Sequence, residues 1–149
     1  MAQVFGKAQT SKKTFSRTTN IQQLITAEPA KIWSLLTNAS DMPRWNSTIV
    51  SLDGDIREGG KIKLKSQLDP KRTFTLKVKE VIPNQKLVWG DAMGKRTYIL
   101  EPQGEKTLFS MTEKIGGPIF PIFANKIPSF DASFEKFVSD LKQEAEYQS

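Results

Sequence analysis

ITAEPAKIWSLLTNASDMPRWN, Ile25 to Asn46, is the stretch on which the fold turns. Pro29 stands where a first helical turn tolerates a missing N–H, and Glu28 sits at the positive end of the helix it would begin. Ile32, Leu35 and Leu36 then share one face with Trp33 beside it, which predicts a short helix over 28–38. Ser40 and Asp41 are placed to cap a second turn carrying Met42, Pro43 and Trp45. Before this segment, residues 15–26 mix threonine with apolar types and end in Leu24-Ile25, as a strand does.

After it the sequence reads as strands. Residues 48–55 come first, and Gly59-Gly60 then leads into KIKLKSQL (61–68), with Ile62, Leu64 and Leu68 set against Lys61, Lys63 and Lys65. A DPKRT connection precedes FTLKVKEV (74–81), followed by a Pro83-Asn84 turn and by KLVWGD (86–91), RTYILEP (96–102) and TLFSMTEKI (107–115). Short alternating runs with turn residues between them predict an antiparallel meander. A register with Asp91 opposite Arg96, Trp89 opposite Tyr98 and Leu87 opposite Leu100 places all six on one face. Continuing it sets Tyr98 opposite Phe109 and Arg96 opposite Met111; the earlier hairpin sets Leu68 against Phe74 and Leu64 against Val78. One apolar and aromatic face emerges from independent segments. Beyond Gly116-Gly117-Pro118, Phe123, Ile127, Phe130, Phe134, Phe137 and Leu141 form one stripe of a helix over 121–146, with a kink or break expected at Pro128.

Composition bounds the chemistry. The chain has 149 residues with 38% hydrophobic content, no cysteine and no histidine. A disulfide, a thiolate nucleophile, a zinc–sulfur site and a histidine-based triad are all excluded. No metal or cofactor is expected. No apolar run approaches the roughly 20 residues that span a bilayer, so no stable membrane insertion is expected, and MAQVFGKAQTSKKT lacks the apolar stretch of a secretion signal, so none is expected. The expectation is a flexible leader over 1–14, one domain over 15–149 and a cytoplasmic protein. Gly59-Gly60-Lys61 lacks the glycine spacing and the following helix of a phosphate loop. The net charge of +6 comes from dispersed lysines. In the expected register Lys61, Lys63 and Lys65 oppose Lys77 and Lys79 on a solvated outer face. With no aromatic residues interleaved, nucleic acid is not an expected partner.

Strand, two short helices, about six strands and a long helix is an order that resembles the START/SRPBCC superfamily, which includes polyketide cyclase/dehydrase-like proteins. ITAEPAKIW, Asp41 to Trp45, YILEPQGEKT (98–107) and LKQEAE (141–146) carry the resemblance, which spans roughly residues 15–147. It implies an α+β helix-grip fold: a curved antiparallel sheet of about seven strands wrapped around a long C-terminal helix, with two short helices after the first strand. Only Gly59 and Gly60 remain of the family's longer glycine-rich loop, so glycine-lid gating is not expected.

The resemblance also implies an internal cavity, mostly apolar with a few polar anchors. The expected ligand-binding residues are Trp45, Trp89, Arg96, Tyr98, Phe109, Met111, Phe123, Ile127 and Phe130, with the Trp45 turn as a lid. Trp33 is expected to pack in the core. Arg96 and Tyr98 would orient a ligand; Tyr98, Asp91 and Glu113 are the candidates for moving protons. Alternatively Asp91 and Arg96 form a cross-strand ion pair. The expected function is binding or carriage of an apolar small molecule, such as a lipid, polyketide or aromatic compound. The alternatives are a cyclase or dehydratase acting on such a ligand and a chaperone-activator-like interaction module.

Overall fold

The computed structural model describes residues 4–147. Eight antiparallel strands form one sheet in the order β1-β2-β8-β7-β6-β5-β4-β3. They are β1 (Gln9–Lys13), β2 (Ser16–Ile25), β3 (Ile49–Gly54), β4 (Lys61–Ser66), β5 (Asp69–Ile82), β6 (Lys86–Gly90), β7 (Gly94–Gln103) and β8 (Lys106–Gly116). Helices α1 (Pro29–Thr37) and α2 (Met42–Trp45) separate β2 from β3, and α3 (Phe120–Phe123) and α4 (Asp131–Glu146) follow β8. This is the α+β helix-grip arrangement.

Part of the expected leader is a strand. Gln9–Lys13 pairs with Ser16–Asn20 at the sheet edge and makes the sheet one strand wider than expected. Its attachments are polar: Thr10 Oγ1 bonds both Thr19 and Asp131, and Glu135 Oε2 accepts from the Ala8 amide at 3.1 Å. QTSKK has no apolar alternation, so hydrophobic patterning could not reveal it. Residues 1–3 of that leader, and 148–149 at the other end, lie outside the described residues.

The inner face contains the expected residues in shifted registers. Trp89 lies opposite Arg96 and Leu87 opposite Tyr98; across the next pair Arg96 lies opposite Glu113, Tyr98 opposite Met111 and Leu100 opposite Phe109. In β4–β5, Leu64 meets Phe74 and Ile62 meets Leu76. Every offset is even, so each side chain keeps its face while changing its partner. Tighter turns shift the β4–β5 and β6–β7 pairs, and the β7–β8 turn falls one residue later, at Gly104–Glu105. The Asp91 amide bonds Gly94 O at 2.9 Å, and Asp91 Oδ1 accepts from the Met93 and Gly94 amides, both at 2.9 Å. That closes the β6–β7 hairpin earlier than an Asp91–Arg96 pairing would. Gly90 is required there, because a Cβ would sit 2.2 Å from Gly94 O. DPKRT is not a connection but the start of β5. On the outer face Lys61 opposes Lys77, whereas Lys63 lies between Thr75 and Asp53.

Helix α4 runs across the inner face and buries Phe134, Phe137, Val138 and Leu141 against it. Fully burying such a side chain contributes about 1.5–3 kcal/mol, so this stripe is a principal source of stability. The stripe is not one helix. Ile127 is extended (φ −93°, ψ 120°), as the residue before a proline must be. Residues 127–130 therefore separate the short turn Ala124–Lys126 from α4.

The opening segment packs on the C-terminal half of α4. Ile32 and Leu36 are buried and Trp33 is half-buried against the core. The Asp41 carboxylate makes no capping bond; it accepts from Arg44 at 2.9 and 3.0 Å, and Arg44 also reaches Glu144 at 2.7 Å. Fully buried Asn46 donates to Phe137 O at 3.2 Å and accepts from the Thr48 amide and hydroxyl at 3.1 and 2.6 Å. Asp140 accepts from the Ser47 amide and hydroxyl at 2.8 and 2.7 Å.

Candidate functional site

A cavity of about 620 Å³ opens at the end of the sheet away from α1 and α2. Its sheet wall consists of Leu64 and Ser66 of β4, Arg72, Phe74 and Leu76 of β5, Trp89 and Gly90 of β6, Arg96 of β7, and Glu113 and Ile115 of β8. The opposite wall is Phe123, Lys126, Ile127, Pro128 and Phe130. The break before α4 creates this space. A helix continuing through Pro128 would pack on the sheet, whereas the α3–turn–connector segment spans it loosely.

One ion pair faces the cavity. Arg96 Nε donates to Glu113 Oε1 at 2.6 Å, with the two side chains only 14% and 18% exposed. They meet because β7 and β8 place them directly opposite, with Trp89 on the other side of Arg96. The guanidinium lies over the Phe134 ring, 5.1 Å from its centroid. Burial, the largest single effect, lowers the Arg96 pKa; the field of Glu113 and its hydrogen bond, together with the interaction with Tyr98, outweigh it and the net direction is upward. Leaving one member unpaired would cost roughly 3–5 kcal/mol. Behind the pair, Tyr98 is 1% exposed and its hydroxyl has no hydrogen-bond partner among the described residues. Burial pushes this phenol up against the opposing pull of Arg96.

Arg17 fixes the loose wall. From β2 it donates to Ile127 O at 3.2 Å and Pro128 O at 2.8 Å, and it sits 4.7 Å from the centre of the Phe130 ring. Burial draws its pKa down, against the fields of Glu113 and Asp131. Of the lining residues Leu68 and Met93 are exposed, and Ile119 and Ile122, which flank or belong to α3, are exposed as well, Ile122 at 79%.

Of the expected site residues, Trp89, Asp91, Arg96, Glu113, Phe123, Ile127 and Phe130 line the cavity. Trp45, Tyr98, Phe109 and Met111 do not. Trp45 is buried edge-on against Phe137, 6.1 Å between centroids, so its turn clamps α4 and is no lid. Phe109 and Met111 are fully buried core beneath α4. The Arg96 partner is Glu113 and not Asp91, whose carboxylate is engaged by the turn amides. Of the proton-transfer candidates, only Glu113 and Asp91 reach the cavity. Leu64, Phe74, Leu76 and Arg17 were missed. The first three already stood on the inner face by alternation, but nothing in the sequence says that α4 leaves that part of the sheet bare. Among the described residues no group of three or more Asp or Glu side chains is gathered for a metal ion, and no helix is long and apolar enough to cross a membrane.

The family model described as Activator of Hsp90 ATPase homolog 1-like protein matches residues 26–146. No curated protein matches. Among solved structures, a conserved protein of unknown function, EF2215 from Enterococcus faecalis, is 17% identical with a TM-score of 0.68, over 92% of this chain and 75% of that one. A START superfamily protein from Mycobacterium smegmatis is 15% identical with a TM-score of 0.65, over 87% and 97%. The Aha1 dimer from Colwellia psychrerythraea is 21% identical with a TM-score of 0.65, over 87% and 96%. At these identities the likeness is one of fold.

Proposed function

Because the chain belongs to the family of Activator of Hsp90 ATPase homolog 1-like proteins, within the START/SRPBCC superfamily, we propose that it binds or carries an apolar small molecule in the cavity beside Arg96. The fold typically binds hydrophobic ligands. The observation that carries the reading is the cavity itself: about 620 Å³, walled by Leu64, Phe74, Leu76, Trp89, Ile115, Phe123 and Ile127, with a partly buried ion pair at one side. This volume and mixture suit a small organic ligand, with burial of apolar surface supplying affinity and one polar group supplying orientation.

Titration with N-phenyl-1-naphthylamine, a neutral dye whose emission rises in apolar surroundings, tests this. Saturable binding to one site is expected, and Leu76→Trp or Ile127→Trp should weaken it about tenfold by filling the space. A dye that does not saturate, or binds both variants as well as the parent, overturns the proposal. The function would then be sought in protein contacts, as the family's description suggests.

A further inference from the structure

We infer that the ligand carries a neutral polar group with an acceptor beside a donor, as in a primary amide or an undissociated carboxylic acid, and that the Arg96–Glu113 pair reads it. The inference rests on the cavity being a ligand site. Arg96 and Glu113 both line that cavity, yet a single bond joins them, from Nε to Oε1. Beyond that bond Arg96 interacts with the Tyr98 hydroxyl, and no hydrogen bond to Glu113 Oε2 is formed among the described residues. Tyr98 Oη, just behind them, lies in the field of Arg96 but makes no well-formed hydrogen bond among the described residues. Both charged side chains are partly exposed to the cavity, and hydrogen bonds to charged groups are the strongest a ligand can gain there. The pair therefore offers a fork of donors next to an acceptor oxygen.

Charge decides what completes it. Arg96 is bridged to Glu113, and Arg17 lies in the fields of both Glu113 and Asp131. The four formal charges cancel. A ligand carboxylate would face Glu113, and an ammonium would face Arg96, both in poorly screened surroundings. A neutral acceptor–donor group answers both members and adds no charge. The remaining charged residues of the cavity, Asp69, Arg72, Asp91, Lys95 and Lys126, are exposed at its mouth, where water and salt screen them.

Four probes with one apolar body test this by calorimetry at neutral pH: 2-naphthamide, 2-naphthoate, 2-naphthylmethylammonium and 2-ethylnaphthalene. The amide should bind about tenfold tighter than each of the others, the size of one charge-assisted hydrogen bond. In Glu113→Gln the guanidinium loses its counter-charge, and preference should switch to 2-naphthoate by a similar factor. Loss of fold cannot produce such a switch, and if that variant does not fold the wild-type series decides alone. Naphthoate binding as tightly as the amide to the wild type overturns the inference, as does equal binding of all four. Binding of none overturns the cavity reading on which it rests.

Discussion

The two ends of α4 are covered by similar pieces of chain with opposite consequences. Residues 28–46 and 118–130 each hold proline, short helical turns and large apolar side chains. At the first end, buried Asn46, the Ser47–Asp140 contacts and the Trp45–Phe137 packing tie α2 to α4. At the second, Arg17 holds two carbonyls of the connector while Ile119 and Ile122 remain exposed. Apolar content does not distinguish a clamp from a cavity wall. Buried polar contacts to a neighbouring helix do.

Substitutions should expose that asymmetry. Phe137→Ala, which removes a ring packed on both Trp45 and Tyr98, should destabilise by about 3–5 kcal/mol in denaturant unfolding; Phe123→Ala at the cavity wall should cost under about 1 kcal/mol. Similar losses would end the distinction. Asn46→Ala should cost about 2 kcal/mol, because Phe137 O and the Thr48 hydroxyl lose their buried partner. Arg17→Met should cost only about 1 kcal/mol globally, yet accelerate amide exchange over residues 119–130 and leave 42–46 protected. Uniform acceleration would show that the two ends open together.

The smallest expected effect is set by pH. Glu146 accepts from the Thr26 amide and from Lys142, both at 2.8 Å. Burial raises its pKa, but these bonds outweigh it and the folded value is lowered. Its contribution is therefore present above the unfolded value of about 4.3 and lost as pH falls through the lower folded value. Glu146→Gln should flatten that part of the acid-denaturation curve and leave stability near pH 7 slightly reduced. An unchanged acid limb would remove Glu146 from the account.

Alternation along residues 61–115 announced which side chains face inward, and the proline–helix segment with the later phenylalanine stripe announced the sheet and its covering helix. Both signals survive even register shifts, because a strand repeats every two residues. The Pro128 break was equally legible, since proline acts on its own neighbours. The β1 strand was not, because its partners Thr19, Asp131 and Glu135 are remote in sequence and polar. Nor was the Arg96–Glu113 pair: a change of two residues in one hairpin moved Arg96 from Met111 to Glu113.

The order of elements, the inward face and the absence of cysteine and histidine chemistry were thus determined by the sequence alone, through local periodicity, steric rules and composition. Tertiary structure alone decided which end of α4 is sealed, where the cavity opens and which charges meet beside it. Those outcomes depend on turn closure and on polar contacts between distant residues, and no local pattern encodes either.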